Sequence, residues 1–385
     1  MPDSPKRQIA ISQPALGLEE WEALKEPIMS GWVTQGPKVA EFEKLFAKRH
    51  DVKHAIGVTS CTTGLHLALV AMGISPGDEV VVPAFTWIAT ANAVLYCGAS
   101  PVFVDVDRTT FNIDPNQLAE KITRRTKAII PVHLFGLCAD MNAIRKVIPK
   151  DIKILEDAAC AAGSSYKRDS AGSLGDAAVF SFHPRKSITT GEGGMITTND
   201  DQLAEKLNML RNHGASISEE HRHHGPKPYL LPDFNILGFN YRMTDLQGAI
   251  GIVQLSKLDS FRKERQKWAT YYNVEFARVK WLRTPTFSVD YQHGWQAYVC
   301  YVDEKKAPMS RNRLMEYLQG KGISTRPGTH AVHIQGFYRK QYNIKSEDYP
   351  AALDCDSYTM ALPLHNCMSK EDYEYIVKCI KDLER

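Results

Sequence analysis

The first half of the chain alternates short apolar runs of strand length with longer runs of helical periodicity, and this alternation limits the possible fold most. Helical runs lie at residues 65–72, 117–122 and 141–147. Strands that are joined through helices run parallel, and a parallel sheet needs helices on both of its faces. We therefore predict an α/β fold with a mostly parallel sheet, whose strands are the runs 54–59, 79–84, 101–106, 128–134, 152–155 and 177–182.

The chain has 385 residues, which is too many for one hydrophobic core, so we expect two domains. A long helix is predicted to begin at Thr244 and Asp245, and the sequence changes character after about residue 282. We place a large α/β domain at residues 1–255 and a smaller α+β domain at residues 256–385. In the smaller domain we expect a strand at 322–326 and an irregular loop at 328–338. The N-terminal segment is left open as a part that packs on the smaller domain.

Charge and composition exclude several classes of protein. The net charge is +3, and Lys and Arg are spread among Asp and Glu, so no segment is typical of a nucleic-acid-binding surface. No apolar run approaches the length of a membrane span, and we expect no signal peptide because the N-terminus lacks a long apolar segment. The eight cysteines form no CxxC pair, and no His/Cys cluster has zinc spacing. We expect a cytoplasmic protein with reduced, packed thiols and no metal.

The segment from Asp157 to Gly194 carries the predicted chemistry. Asp157 follows one apolar run, and Lys186 follows another in a polar segment that ends in a glycine-rich turn. A lysine amine forms an imine with the aldehyde of pyridoxal phosphate, and an acid keeps the pyridine nitrogen protonated so that the ring accepts electrons. We therefore predict a pyridoxal phosphate site with Lys186 and Asp157 as catalytic residues. The alternatives are that Lys186 is an ordinary surface lysine and that Asp157 only caps the end of a strand. Burial and nearby positive charge are expected to lower the pKa of Lys186, because the amine must lose its proton to act as a base.

Further residues fall at the same predicted edge of the sheet. Thr62 and Thr63 precede the helical run 65–72, where free backbone N–H groups favour a phosphate, although on this segment alone simple capping is the better explanation. Trp87 follows a strand, where a flat ring either stacks on a cofactor or fills the core. Ligands of parallel sheets bind beyond the carboxyl ends of the strands. We expect one site there, formed by Thr62, Trp87, Asp157 and Lys186.

Longer stretches of the sequence resemble one family. The motifs are SGWVTQGP, PAFTWIATANAV with PVFVDVD, ILEDAACA, FSFHPRKSITTGEGGMITTND, LRNHG and GFNYRMTDLQGAI. On these motifs the chain resembles the DegT/DnrJ/EryC1/StrS sugar aminotransferases over nearly its whole length. The resemblance implies the type I fold of pyridoxal-phosphate-dependent transferases, which is the fold of aspartate aminotransferase, and a homodimer with a shared active site.

The resemblance also implies roles for individual residues. Lys186 would bond to the cofactor and move the proton between cofactor and substrate carbons, Asp157 would pair with the pyridine nitrogen, and Trp87 would stack on the ring. His183 would lie near the substrate. The residues implied to hold the phosphate are Thr62, Thr63, Ser181 and Asn240 of the partner subunit.

Two cysteines depart from the pattern of the family. Cys160 stands where members commonly carry Gln or His, which supports the ring oxygen of the cofactor, and we keep it as a cofactor-binding residue. A thiol is a weak hydrogen-bond donor, so another group is needed if Cys160 does not fill that role. Cys61 stands where the phosphate loop commonly has Gly, so its backbone is not assumed to be the same.

The implied reaction moves an amino group from an amino acid, L-glutamate by resemblance, to a keto-sugar. The acceptor is expected to be a nucleotide-linked keto-deoxysugar in surface polysaccharide or modified-sugar biosynthesis. A keto-sugar acid or a small keto-phosphate is an alternative acceptor. Two rival functions are a dehydratase that uses pyridoxamine phosphate, which has His in place of the lysine, and a non-catalytic regulator. Lys186 argues against the dehydratase, and the pair of Asp157 and Lys186 argues against the regulator.

Several residues are candidates for binding the substrate. Arg326, His330 and His333 suggest an anionic acceptor, although loop or interface roles explain them equally well. The His-rich loop 221–228 is a further candidate. The remaining candidates are His183 and two residues of a Gly/Pro-flanked loop that otherwise fills a domain edge, Trp32 and Thr34.

Overall fold

A computed structural model describes residues 7–216, 229 and 231–384 of the chain. The strands, in chain order, are β1 His54–Val58, β2 Glu79–Pro83, β3 Phe85–Thr86, β4 Ser100–Val104, β5 Thr126–Ile129, β6 Lys153–Asp157, β7 Ser165–Tyr166, β8 Asp169–Ser170, β9 Ala177–Ser181, β10 Gly194–Thr198, β11 Leu282–Arg283, β12 Tyr291–Gln292, β13 Tyr298–Val302, β14 His330–Ala331 and β15 Thr359–Leu362. The helices are α1 Leu18–Ala23, α2 Lys25–Ser30, α3 Pro37–His50, α4 Cys61–Ala71, α5 Ala89–Tyr96, α6 Met141–Val147, α7 Asp201–Arg211, α8 Asp245–Phe276, α9 Arg311–Gly320, α10 Gly336–Tyr342, α11 Pro350–Tyr358 and α12 Lys370–Lys381.

A seven-stranded sheet in the order β1-β10-β9-β6-β5-β2-β4 forms the centre of the described chain. The neighbouring strands β9, β6, β5, β2 and β4 pair in parallel, and β10 pairs antiparallel with both β9 and β1. β2 and β9 are buried along their whole length, as expected for strands covered on both faces. The prediction of a mostly parallel α/β fold is therefore confirmed.

Successive strand residues point to opposite faces of the sheet, and each face has its own hydrophobic core. On one face Val58, Leu155 and Val179 pack with α4, α5 and α7. On the other face Ile154 and Phe180 pack with α3, α6 and the first part of α8. Because both sides of the sheet are closed by helices, a ligand can approach only at the ends of the strands.

A third core lies around the small antiparallel sheet β11-β13-β15. It contains the second half of α8 and α12, whose rings Trp268 and Tyr373 stack with centroids 4.2 Å apart. The N-terminal Ile9 belongs to this core, and its amide donates a hydrogen bond of 2.8 Å to the Gly322 carbonyl oxygen. Residue 255 lies inside α8, which runs through the second and third cores without a break. The domain boundary at 255/256 stays a prediction.

Three local predictions are wrong. The run 117–122 forms two short 3-10 turns, Pro115–Gln117 and Ala119–Lys121, instead of a helix. The segment 322–326 forms isolated bridges rather than a strand, because Gly322 has φ of +77° and Pro327, which has no amide hydrogen, follows directly. The segment 328–338 is not irregular, since it contains β14, a 3-10 turn and the start of α10.

Three further features concern the cysteines, the helices and the potential metal ligands of the described residues. All eight cysteines lie in the described ranges and are free thiols, most of them buried. Within residues 7–216, 229 and 231–384, no helix is both long and apolar enough to cross a bilayer. In the same ranges no three His, Cys, Asp or Glu side chains are grouped in a way that would hold a metal ion.

Candidate active site

Asp157 ends β6, and its carboxylate is 5% exposed at the carboxyl edge of the sheet. Its Oδ2 accepts a hydrogen bond of 2.7 Å from Thr90 Oγ1, and its Oδ1 accepts one of 3.2 Å from the Ala159 amide. The neighbouring Glu156 points to the other face of the sheet and accepts hydrogen bonds from three backbone amides there. The alternation along β6 thus separates a structural carboxylate from the one that faces the site.

Lys186 lies in the turn after β9, where its amide donates a hydrogen bond of 2.8 Å to the His183 carbonyl oxygen. Its Nζ donates a hydrogen bond of 3.1 Å to Cys160 Sγ. Burial alone would lower the pKa of this amine, but the hydrogen bond to Cys160 and the negative charge of Asp157 raise it and outweigh burial. The pKa of Lys186 therefore lies above its ordinary value. The expected lowering is wrong for this structure, because the surrounding groups stabilise the protonated amine.

Cys61 begins α4 and is 9% exposed beside Asp157. Its Sγ lies 3.7 Å from the Val179 carbonyl oxygen and 4.0 Å from Asp157 Oδ1. Burial raises the pKa of this thiol well above its ordinary value, and the charge of Asp157 acts in the same direction against the opposing charge of Lys186. Cys61 is therefore held as a neutral thiol between the helix start and the carboxylate.

The start of α4 and the start of β10 meet at the same edge. Ser60 caps α4, because its Oγ accepts a hydrogen bond of 3.1 Å from the Thr63 amide. A Cβ on Gly194 would lie 2.6 Å from the Ser60 carbonyl carbon, so only glycine lets the strand approach the helix this closely. Gly194 pairs with Ser181 across the β9–β10 ladder. Gly194 thus lies between Ser181 on one side and the N-terminus of α4 on the other.

The two predicted phosphate-binding threonines differ in what their hydroxyls do. Thr63 Oγ1 accepts a hydrogen bond of 3.0 Å from the Ser60 amide and donates one of 2.9 Å to the Ser60 carbonyl oxygen, as the capping alternative predicts. Thr62 is partly exposed, and its hydroxyl forms no hydrogen bond with the described residues. The structure thus brings Thr62 and Ser181 together with the free N–H groups of the helix start, where a phosphate binds favourably.

Trp87 follows β3 and is 59% exposed. β14 pairs antiparallel with β3 so that His330 lies opposite Thr86. The rings of Trp87 and His330 consequently lie 5.5 Å apart at an angle of 43°. The C-terminal part of the chain therefore reaches back to the site and brings a predicted substrate residue next to a predicted cofactor residue.

The loop that carries Lys186 is cationic on its outer side. His183 Nδ1 accepts a hydrogen bond of 3.2 Å from the Arg185 amide. Burial lowers the pKa of His183, and the charges of Lys186 and Arg185 lower it further against the opposing effect of Glu192. Arg326 is exposed, and both burial and the charge of Arg185 lower its pKa. The predicted substrate residues His183 and Arg326 therefore share one electrostatic environment.

Trp32 and Thr34 lie in the loop before α3. Asp245 holds this loop by accepting a hydrogen bond of 2.8 Å from the Gly36 amide, and its own amide donates one of 3.0 Å to the Thr34 carbonyl oxygen. The Trp32 indole lies directly against Gly36. Among the described residues, no hydrogen bond joins this loop to Lys186. A role of Trp32 and Thr34 in substrate binding stays a prediction.

Asn240 is exposed on a segment that pairs with Asn212 and is held to β1 through the Tyr241 carbonyl oxygen, which accepts a hydrogen bond of 3.1 Å from the Thr59 amide. In the described part of the chain its side chain forms no hydrogen bond with Lys186 or Asp157. A contact of Asn240 with the cofactor of a second subunit stays a prediction.

His333 does not face a ligand, which corrects the interpretation of the C-terminal loop. It is fully buried, its Nε2 lies 3.1 Å from the Ser346 carbonyl oxygen, and its ring packs on Tyr349. It is therefore a residue of the core rather than of the site. The His-rich loop 221–228 lies outside the described residues.

The sequence as a whole matches a known family. Residues 14–381 match the DegT/DnrJ/EryC1/StrS aminotransferase family. The chain belongs to this family. Its aminotransferase fold is shared with the structure of Spr1654 from Streptococcus pneumoniae, described as a sugar aminotransferase, which is 28% identical with a TM-score of 0.90 over 98% of both chains in its pyridoxamine phosphate form.

Two curated relatives cover almost the same length. The spore coat polysaccharide biosynthesis protein SpsC of Bacillus subtilis (strain 168) is 41% identical over 97% of both chains. GDP-perosamine synthase of Caulobacter vibrioides is 40% identical over 99% of both chains. The chain thus resembles both proteins along almost its whole length.

Pyridoxal phosphate is the cofactor of DegT/DnrJ/EryC1/StrS aminotransferases, and the structure of Spr1654 is also known in its pyridoxal phosphate form. The residues of this chain fit that group. A buried carboxylate, a lysine amine and the exposed face of Trp87 meet at one edge of the sheet. The helix start beside Ser181 offers free N–H groups for a phosphate. Each chemical part of the cofactor therefore has a matching group.

Sequence reasoning missed Thr90, which holds the Asp157 carboxylate. Thr90 is fully buried in α5, three residues after Trp87, so that it lies one helical turn from the predicted stacking residue. The spacing of three residues between Trp87 and Thr90 in the segment TWIAT was the sequence feature that could have pointed to Thr90. The direction of the hydroxyl depends on how α5 packs against β6, which the sequence alone does not give.

Proposed function

We propose that this member of the DegT/DnrJ/EryC1/StrS aminotransferases moves an amino group from L-glutamate to a keto-sugar with pyridoxal phosphate as its cofactor. The observation that carries the proposal is the position of Lys186 and Asp157. Asp157 ends β6 and Lys186 follows the neighbouring parallel strand β9 at the carboxyl edge of the sheet, where Lys186 Nζ lies 3.1 Å from Cys160 Sγ and Asp157 Oδ1 lies 4.0 Å from Cys61 Sγ. The presence of this lysine favours amino transfer over the dehydratase reaction of relatives that carry His at this position.

The bound cofactor supplies an electron sink for the charge that develops on the substrate carbon. Lys186 holds the cofactor through its amine and moves a proton between the cofactor and substrate carbons. Asp157 keeps the pyridine nitrogen protonated, and Thr90 fixes the orientation of its carboxylate through the hydrogen bond of 2.7 Å. Trp87 covers the ring.

The phosphate of the cofactor is expected at the N-terminus of α4. Thr62, Ser181 and the free N–H groups of the helix hold it, and Thr63 supports them through the cap. Cys160 contributes as the hydrogen-bond partner of the Lys186 amine. It therefore acts on the lysine, in addition to the ring-side position that the family pattern gives it.

We infer that the acceptor is a nucleotide-linked keto-deoxysugar of surface polysaccharide or modified-sugar biosynthesis. The names of the relatives SpsC and GDP-perosamine synthase support this class of substrate. The cationic surroundings of His183, Arg326 and His330 suit an acceptor with anionic groups.

We further propose a cytoplasmic homodimer in which Asn240 of the partner subunit completes the phosphate site. Asn240 is exposed in this chain, and the nearby Phe234 and Leu237 are 61% and 89% exposed. Exposed apolar side chains beside an exposed polar one are typical of a surface that a second protein covers.

Reduction with borohydride tests the cofactor assignment. Purified protein loaded with pyridoxal phosphate should carry the reduced cofactor on Lys186, as located by peptide mass spectrometry. Lys186→Ala should remove the label and lower turnover by at least about 10²–10⁴-fold, because the proton-transfer group is lost. Lys305→Ala changes an exposed lysine of the C-terminal part and should behave as wild type. A label at another lysine would contradict the assignment.

Turnover tests the reaction. Keto-sugar nucleotides and keto-sugar acids are offered with L-glutamate, and 2-oxoglutarate is measured together with the aminated sugar. Stoichiometric formation of both products is expected for at least one keto-sugar nucleotide. Loss of water from the sugar without 2-oxoglutarate would instead indicate a dehydratase, and no reaction of loaded protein with any donor would favour a non-catalytic role.

A further inference from the structure

Arg185 and Arg326 are two exposed guanidinium groups without a counter-ion at the mouth of the site. In the described ranges neither side chain forms an ion pair or a hydrogen bond. Most other arginines near the sheet are paired; Arg211, for example, binds Glu43 and the Gly57 carbonyl oxygen. The sequence alone assigns Arg185 no function, because adjacent side chains need not point in the same direction.

The backbones of both arginines are anchored close to the start of β13, Arg185 by Gln296 just before that strand and Arg326 by Ala361 in the neighbouring β15. Gln296 Nε2 donates a hydrogen bond of 2.9 Å to the Arg185 carbonyl oxygen. The Ala361 amide donates one of 2.7 Å to the Arg326 carbonyl oxygen, and Ala361 pairs directly with Val299 in β13. Residues 296 and 299 are three positions apart, so their backbones are separated by at most about 11 Å. Two elements distant in sequence thus hold their arginines at neighbouring points.

This arrangement brings like charges together. The charge of Arg185 is among the causes that lower the pKa of Arg326, after burial, so the two guanidinium groups act on each other through space. Like charges without a partner repel, and a cleft lined by one sign of charge concentrates ligands of the opposite sign. An anion between the two groups would remove the repulsion and would accept hydrogen bonds from two planar, fork-shaped donors.

We propose that Arg185 and Arg326 together bind an anionic group of a substrate and thereby select substrates that carry one. This inference rests on the proposed function and deepens it, because it assigns the substrate class to a pair of residues from two parts of the fold. The shared chemistry is a carboxylate or phosphate oxygen pair. It belongs either to the carboxylate of the amino donor or to the diphosphate or acid group of the acceptor, and the two sources are separable.

Binding of two probes to the cofactor-loaded, full-length protein tests the pair directly. Inorganic pyrophosphate represents the acceptor group and glutarate the donor carboxylate, and titration calorimetry at two salt concentrations measures both. We expect Arg185→Gln and Arg326→Gln each to weaken at least one probe by about tenfold or more, because each removes charge-assisted hydrogen bonds. If both residues bind the same anion, the affinity of the double variant should fall by a smaller factor than the product of the two single factors.

Conservative and control variants sharpen the result. Arg185→Lys should restore part of the binding, because it keeps the charge without the fork. Arg313→Gln removes an exposed arginine on α9 and should bind both probes as wild type. Thermal melting of each variant checks that an exposed substitution leaves the fold intact.

The source of the anion follows from the two halves of the reaction. Slower conversion of the bound cofactor by L-glutamate in the variants would assign the pair to the donor, and a raised KM for the keto-sugar alone would assign it to the acceptor. Unchanged binding of both probes in both glutamine variants would overturn the proposal while leaving amino transfer intact. A wild-type protein that binds no cofactor would overturn the proposed function, whatever the arginines bind.

Discussion

The Nζ atom of Lys186 donates its hydrogen bond to Cys160 Sγ at 3.1 Å and not to the Asp157 carboxylate. The amine and the carboxylate are thus kept apart, each with its own partner, and Thr90 occupies Oδ2 of Asp157. Because the thiol stabilises the protonated amine, Cys160 controls the form in which Lys186 meets the cofactor.

Cys160→Ala should make the protein capture pyridoxal phosphate at lower pH. Only the neutral amine attacks an aldehyde, and the hydrogen bond to Cys160 opposes the effect of burial on the pKa of Lys186. Removing the thiol lets burial dominate, so the pKa falls and the rise of the capture rate moves to lower pH. Stopped-flow absorbance of apoprotein mixed with cofactor across pH measures it. Cys367→Ala, at an exposed thiol, should leave the profile unchanged. A shift to higher pH would contradict this role of Cys160.

Asp157→Asn should preserve the fold and lower turnover by about 10²–10³-fold, because an amide does not stabilise the positive pyridine nitrogen. The amide oxygen still accepts the hydrogen bond of Thr90, so the side chain stays in place. Steady-state kinetics and the absorbance of the bound cofactor measure the effect. Asp151→Asn, at an exposed carboxylate, is the matched control. Turnover within about twofold of wild type would show that Asp157 does not serve the cofactor.

Thr90→Val should lower kcat by about tenfold or more with little change in the KM of the amino donor. The substitution keeps the volume of a fully buried side chain but removes one hydrogen bond to a charged group, which contributes about 1.5–3 kcal/mol. Thr270→Val on the exposed surface of α8 is the control. If Thr90 merely fills space, the variant will match wild type in kcat and in the cofactor spectrum.

Two buried histidines should make the protein less stable in acid. Burial lowers the pKa of His50 and of His293 to about 3 each. The ordinary value of about 6.5 applies in the unfolded chain, so the unfolded state binds more protons, and the free energy of unfolding falls as the pH drops from 6.5 towards 3. At pH 5.5 each histidine should remove about 1.4 kcal/mol relative to pH 7.5.

Urea unfolding at the two pH values measures this loss. His50→Phe keeps the stack on Phe46, whose ring centroid lies 4.1 Å away, and removes the proton-binding group. The variant should therefore lose less stability at pH 5.5 than wild type does. The difference should persist at high salt, because it comes from burial and not from surface charge. Equal losses in both proteins would exclude His50 as a cause.

The general architecture and the central pair of residues could be predicted from the sequence because both depend on local signals. Apolar runs of strand length place Asp157 and Lys186 after neighbouring strands, and the parallel sheet then brings them to one edge. The contact between Lys186 and Cys160 has no such signal. It depends on where a flexible side chain points inside the folded site, and this direction is fixed by packing between segments far apart in sequence.

The errors have the same origin. The sequence makes His333 a candidate substrate residue, no better supported than a loop or interface role, because it lies in a loop with Arg326 and His330. Its ring is buried against Tyr349. Sequence spacing alone does not distinguish the buried histidine from the exposed His330. The strand predicted at 322–326 is absent because the left-handed Gly322 interrupts the extended backbone.

β10 is inserted between β1 and β9, and its Gly194 touches Ser60. The helix start that holds the phosphate follows β1, and the turn with Lys186 follows β9. These two parts of the site are therefore aligned with each other only after the antiparallel β10 has paired with both strands. Binding of pyridoxal phosphate therefore requires that β1 and β10, the two paired strands of the seven-stranded sheet that lie farthest apart in sequence, have already paired. The rate of cofactor uptake by refolding protein then measures how fast this part of the sheet assembles.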